Sequence, residues 1–375
     1  METFSSAMVR SNPNDPNLIS LKTKMEWALK KNILSWTMRG VITIALFAIL
    51  FTRFVNLDQA AAELIGLSAV WLFAALLVKG GAIYASIWRW QLLLRGQGLI
   101  IPHRHLVGTF LIGRFFGTFL PSTIGLDAYR AYDVARRANA TTQSVAVIVI
   151  EKIIGFFSLS TLVLATLPAG FRFLPPQVLI FIFAVFCVPV TVSFILLLEP
   201  RLIMRFLDIP FPLKRRIEGK LRQAATAVTI YRSQKGLLML AVVCGILVHL
   251  GTTLMYYCTA RAIHASVSLY DILFVGPLMI VATVGLPSIG GEGVRELTLV
   301  GLLARVGVAE SSAFVLGHLG FWVGLALSLS GGVVYLLRPA SYQPIIRWAR
   351  RSSVRTPEVS EVRPTGPLSL VENGD

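Results

Sequence analysis

The stretch Leu120-Pro-Ser-Thr-Ile-Gly-Leu-Asp-Ala-Tyr-Arg130 returns later as Leu286-Pro-Ser-Ile-Gly-Gly-Glu-Gly-Val-Arg295, and this recurrence decides how the rest of the chain is read. Each copy places proline and glycine at an apex: Pro121 and Gly125 in the first, Pro287, Gly290 and Gly291 in the second. A carboxylate follows (Asp127; Glu292), then an arginine three residues on (Arg130; Arg295). Proline removes a backbone donor and glycine tolerates positive φ, so neither copy continues a preceding helix unbroken. Each reads as a hairpin. Apolar segments flank both, which puts broken backbone and ionisable groups at membrane depth, where they are tolerated only against protein or water.

The composition agrees with a membrane setting. Of 375 residues, 55% are hydrophobic and only 14% charged, with a mean hydropathy of +0.71, far too apolar for an ordinary soluble domain. The net charge of +16 does not point to nucleic acid, because the basic residues lie between apolar segments and read as cytoplasmic loops facing an anionic leaflet. Cys187, Cys244 and Cys258 all fall in apolar stretches without paired or metal-ligand spacing, so neither a disulfide framework nor a metal site is expected. Residues 1–36 are polar and lack a short apolar core ahead of a small-residue cleavage site, so no removable signal peptide is expected.

A membrane helix needs roughly 20 largely apolar residues. Six stretches qualify: 37–55, 65–94, 141–167, 177–198, 236–262 and 311–337. Lysine and arginine are placed unevenly around them. Residues 1–40 hold six and residues 199–235 hold nine, whereas 56–64 and 263–270 hold none and 168–176 only Arg172. Both termini and the 199–235 loop are therefore assigned to the cytoplasm, and the protein to the plasma (inner) membrane. On this topology segment 105–137 starts and ends inside, and segment 271–306 starts and ends outside. The arm from His105 to Leu120 has 16 residues, about 24 Å as a helix against a hydrocarbon core of about 30 Å, so re-entrant hairpins fit better than full spans.

The expected architecture is an all-α polytopic membrane protein: a cytoplasmic segment 1–36, a membrane domain 37–337 and a disordered tail 338–375. The halves 37–167 and 177–337 each carry one hairpin and face opposite ways, an inverted-topology repeat that places a site near the midplane. Within the 199–235 loop, Ile217, Leu221, Ala224, Ala225 and Val228 recur at helical spacing beside basic residues, as in an amphipathic helix lying on anionic headgroups.

Ionisable residues inside a membrane are costly and default to functional candidates with a partner to be named. In the hairpins these are Arg114, Asp127, Arg130, Glu292, Arg295 and Glu296; in the spans Lys79, Glu151, Lys152, His249 and His318. The planar guanidinium suits a phosphate, so Arg130 and Arg295 are candidate ligands of a lipid headgroup, with Arg114, Asp127, Glu292, Glu151 and Lys79 in the same site. The plainer alternative makes Asp127 with Arg130 and Glu292 with Arg295 structural i,i+3 pairs. Glu151 has three candidate partners: the stem of Lys152, a hairpin arginine, or Lys79. Arg114 stands between Gly113 and Gly117, which permit close helix approach. Arg39, Arg53, Arg89, Arg261 and Arg338 sit at span ends and read as snorkelling side chains. His249 and His318 are either proton relays or satisfied packing groups. No cofactor-binding motif, nucleophile elbow or phosphate loop is present, and the acids of the first outer loop, Asp58 and Glu63, stand in a loop too short for a sugar-transfer site.

Phe119-Leu-Pro-Ser-Thr-Ile-Gly-Leu-Asp-Ala-Tyr-Arg-Ala-Tyr132, Glu151-Lys-Ile-Ile-Gly155 and Leu286-Pro-Ser-Ile-Gly-Gly-Glu-Gly-Val-Arg-Glu296 resemble the signatures of the lysylphosphatidylglycerol synthase transmembrane-region family, and Arg89-Trp90 is also similar. That family's flippase-like domain forms the membrane half of the multiple peptide resistance factor. The resemblance covers roughly residues 35–340 and implies a lipid flippase-like membrane domain. Leu126 stands where the family more often has a second glycine, and Lys152 where it has arginine. About 38 residues follow the last span, so the family's soluble aminoacyl-transfer domain is not expected. The function this implies is movement of an anionic or modified phospholipid or polyprenyl-linked headgroup through a site between the hairpins. The alternative is an integral-membrane enzyme or accessory subunit in lipid or glycolipid modification. Membrane lipids are the expected partners. Small residues in the spans permit a homodimer, and a separate lipid-modifying enzyme is a further candidate partner.

Overall fold

The computed structural model describes residues 37–38, 41, 44–53, 55–119, 124–198, 229–286, 288 and 291–338. The N-terminal segment, the amphipathic residues Ile217 to Val228, the apex residues Pro121, Pro287 and Gly290, and the tail beyond Arg338 lie outside these residues.

The described chain is helical and contains no strand. Ile44–Arg53 (α1) is followed at 94° by Leu57–Ile65 (α2), whose start is capped by Asn56 Oδ1 accepting from the amides of Asp58 and Gln59. The long helices α3 (Ala69–Gly96), α6 (Thr141–Thr166), α7 (Pro176–Leu198), α8 (Lys235–Ala262) and α11 (Glu310–Leu337) follow the apolar runs, and each is long and apolar enough to cross a membrane. With the bent α1–α2 pair counted as one, the candidates number six, as hydropathy requires. Helix α7 is apolar on all sides, and Ile180, Phe181, Phe183, Val188 and Phe194 are exposed, as on a helix meeting lipid.

Two pairs of shorter helices carry the recurring motif. The first is α4 (His103–Phe119) with α5 (Ile124–Ala138); the second is α9 (Leu269–Gly285) with α10 (Val294–Leu303). Their open ends are tied to different parts of the bundle. His103 Nδ1 meets Gln91 Oε1 at 2.8 Å, and His105 Nε2 meets Asp133 Oδ2 at 2.6 Å, so α4 and α5 open beside the C-terminal end of α3. Tyr231 Oη donates to the Leu93 carbonyl and Gln234 Nε2 to the Gly96 carbonyl at that same end, satisfying orphan acceptors of the helix terminus. The second pair opens instead beside the α6–α7 turn. There Arg172 Nη1 lies 2.8 Å from Asp271 Oδ1 and Arg305 Nη1 donates to the Phe173 carbonyl at 3.1 Å. Ser268 and Asp271 form a reciprocal cap at the start of α9.

Helix association in lipid lacks the hydrophobic drive of water, so close packing must do more of the holding. The chain meets this with small residues at crossings. Gly113 and Gly117 face Leu126, closing α4 on α5, as their spacing suggests. Gly251 on α8 faces Ala82 on α3, and Gly331 on α11 lies directly against the Leu111 carbonyl on α4. Two buried clusters result. One joins Trp90, Leu93, Leu106, Phe110, Ile150 and Tyr231; the other joins Met255, Ile272, Phe274, Leu303 and Leu316.

A methyl group at Gly331 has backbone beneath it and nowhere to rotate. Gly331→Ala should cost about 1–3 kcal/mol, seen as a lowered Tm in detergent. Gly301→Ala, where an added Cβ meets nothing within 4 Å, should leave Tm unchanged or slightly raised.

Candidate functional site

The first ion network is built across α3, α5 and α6. Arg89, expected to snorkel, is instead buried, with 7% of its surface exposed, and its Nη2 donates to Glu151 Oε1 at 3.0 Å. The span-end reading fails because Arg89 lies seven residues inside the end of α3 on the face turned toward α6. The second oxygen of Glu151 accepts from Arg130 Nη1 at 2.9 Å. Arg130 Nη2 reaches Asp127 Oδ1 at 2.5 Å, and Lys152 Nζ reaches Asp127 Oδ2 at 2.6 Å. Charges thus alternate Arg89, Glu151, Arg130, Asp127, Lys152. The guanidinium of Arg130 also lies 5.1 Å from the Trp90 ring and 5.0 Å from that of Phe110, which adds cation–π attraction in a dry setting. Of the three partners open to Glu151, a hairpin arginine is the one it meets; the Lys152 ammonium goes to Asp127 instead.

The second network is held within and beside α10. Arg295 Nη2 lies 2.7 Å from Glu292 Oε1 and 2.6 Å from Glu296 Oε1. Glu296 Oε2 accepts from the Gly293 amide at 2.8 Å, which caps α10 while its carboxylate is fully buried. Gly291 and Gly293 take φ of +82° and +76°, a backbone that glycine allows at no steric cost. The Arg295 guanidinium sits 5.3 Å from the Phe321 ring, and His318 Nδ1 lies 3.6 Å from Glu296 Oε1 on α11. Glu292, Glu296 and His318 offer ligand atoms within 4.8 Å of one another, but Arg295 already supplies the positive charge these carboxylates need, so a divalent cation would compete with a guanidinium in place.

Both motif arginines are therefore bonded to the acid three residues earlier, the i,i+3 geometry of the plainer alternative. The remaining candidates separate from these networks. Lys79 does not meet Glu151; its Nζ donates to Thr252 Oγ1 on α8 at 3.0 Å. Arg114 has a buried Nε without a partner and lies against Gly324 of α11. His249 Nε2 meets the Gly155 carbonyl at 3.2 Å, a packing role, and the Arg261 guanidinium covers the Trp71 ring at 5.6 Å. Arg89 and Thr252 are the members that residue type and spacing alone did not single out.

Removing one partner of a buried ion pair leaves the other charge stranded. Glu151→Gln should destabilise by about 3–5 kcal/mol in detergent unfolding, because it strands both Arg89 and Arg130. Lys152→Gln should cost under about 1 kcal/mol, since that side chain is 47% exposed.

The profile of the lysylphosphatidylglycerol synthase TM region matches residues 38–331, a range that contains both ion networks and both short helix pairs. No curated protein matches the chain. A match over most of the 375 residues, from the first span into α11, makes the chain a member of the lysylphosphatidylglycerol synthase transmembrane-region family.

Proposed function

We propose that the chain is a flippase-like lipid transporter, moving an anionic or modified phospholipid or polyprenyl-linked headgroup through a site between two re-entrant hairpins of an inverted repeat. The observation that carries this reading is the pair of short helix pairs, each with a buried arginine–carboxylate network near its apex, opening beside different ends of the long helices. At 17, 15, 17 and 10 residues these helices run about 26, 23, 26 and 15 Å, short of a hydrocarbon core of about 30 Å. Such elements put polar groups at depth without lining a continuous pore. Membership of a family named for lipid chemistry is the second support.

In this mechanism the carboxylates hold Arg130 and Arg295 in place and mask their charge while no headgroup is present. A phosphate entering from one side competes for a guanidinium, and rocking of the halves presents it to the other side. The excess of lysine and arginine in 1–40 and 199–235 supports cytoplasmic termini in the plasma (inner) membrane, with anionic lipids as partners of the central loop. A homodimer fits the small-residue content of the spans.

Purified wild type in proteoliposomes should translocate at least one class of headgroup-labelled lipid, and Arg130→Ala and Arg295→Ala should each slow it by about tenfold or more, the effect of losing one charge-assisted contact. Well-folded wild type that moves no lipid of any class would sink the transport reading.

A further inference from the structure

Between the two networks, six cations face four carboxylates. Arg89, Arg130 and Lys152 are held by Glu151 and Asp127, and Arg295 by Glu292 and Glu296. Lys79 and Arg114 are left over. Among the described residues neither has a carboxylate partner: Lys79 Nζ has only the Thr252 hydroxyl, and Arg114 Nε has no acceptor at all. Neither sits where it can snorkel. Lys79 is the eleventh residue of the 28-residue α3, about 15 Å along the axis from Arg89, and Arg114 is near the inner end of α4.

The two are neighbours in the same interior. Thr259 Oγ1 donates to the Leu316 carbonyl at 3.4 Å and Tyr256 lies against Gly320, so along the antiparallel α8 and α11 Thr252, the partner of Lys79, comes at the level of Gly324, which Arg114 faces. Lys79 lies at the α3–α8 crossing, where Gly251 meets Ala82, and Arg114 faces α11 at Gly324. Both side chains keep part of their surface accessible. Two uncompensated cations in a low-dielectric interior repel each other and lack the solvation each had in water, a state that an anion between them relieves.

We infer that Lys79 and Arg114, with Thr252, form the seat of a phosphoryl dianion: the phosphomonoester end of a membrane lipid, one whose headgroup is the phosphate itself. The match is one of charge and geometry. A phosphomonoester carries close to two negative charges at neutral pH, against one for a phosphodiester, and so balances two leftover cations. Arginine supplies a planar fork for two phosphate oxygens, and lysine a compact charge for the third. The motif arginines, bonded to their own carboxylates until a phosphate competes for them, are separate stops on the path, and Lys79 with Arg114 is the seat between them. The seat rests on the lipid-transport reading for its occupant, and names the headgroup class.

The test is binding to the purified full-length chain in detergent, with dioctanoyl phosphatidic acid, dioctanoyl phosphatidylglycerol and inorganic phosphate as probes. Phosphatidic acid should bind about tenfold or more tightly than phosphatidylglycerol, and Lys79→Gln and Arg114→Gln should each weaken it by about tenfold or more. Arg114→Lys, which keeps the charge and loses the fork, should recover part of the loss. Inorganic phosphate binding as tightly as phosphatidic acid would overturn the lipid source, and equal affinity for the phosphodiester would overturn the dianion. Unchanged affinity in both glutamine variants would overturn the seat. A folding control separates a ligand group from a structural one: ligand-free Lys79→Met should have a Tm at or above wild type, and a clear fall would overturn the assignment. Translocation that persists in both glutamine variants also sinks the seat, whereas phosphatidic acid binding without translocation supports it and sinks only the transport reading.

Discussion

A charge inside a low-dielectric interior must be neutralised close by, and Glu151 is where this constraint is met most tightly. Its two oxygens take Arg89 from α3 and Arg130 from α5, while its own backbone belongs to α6. One carboxylate therefore sets the rotation of three helices at once. Replacing such a pair by well-packed apolar residues is often neutral or stabilising, so the network is better understood as fixing geometry than as adding stability. The same constraint explains the cation–π contacts of Arg130: Trp90 and Phe110 present ring faces where water would otherwise be needed.

The second network solves the same problem with fewer helices. Glu296 follows Arg295 directly, so most of the neutralisation is local to one turn, and the cap on Gly293 is made by the same carboxylate. The two short helix pairs thus share a motif but not a circuit. In the first, a neighbouring long helix supplies a carboxylate, Glu151, to the motif arginine; in the second, both carboxylates belong to the turn around it, and the long helices add Tyr256, His318 and Phe321.

Much of the fold could be read from residue type alone. Runs of about 20 apolar residues need no partner to declare themselves, and the helices from α3 onward follow them closely. The short helix pairs were marked by Pro and Gly in the middle of apolar sequence. Side-chain partners were far less legible. Glu151 had three candidates because the choice depends on how α3, α5 and α6 are rotated about their axes, which no local pattern records. Arg89 was misplaced for a related reason: distance from a helix end suggests snorkelling, whereas the face it occupies turns it inward to Glu151. The isolation of Lys79 and Arg114 was invisible in principle, since lacking a partner is a property of everything around a residue.

The contacts of α1 carry one further consequence. Leu46 lies where a Cβ on Gly293 would have to go, and the Asn56 amide donates to Ser311 Oγ at 2.9 Å across 255 residues of chain. α1 and the Asn56 cap that follows it therefore find these neighbours only after the chain has been synthesised as far as Gly293 and Ser311. Until then α1 must persist in the bilayer on its own hydrophobicity, and the final locking of the bundle is a late event in biogenesis. Assembly of the domain is in this sense a closing of its two ends on each other, not a growth outward from the first span.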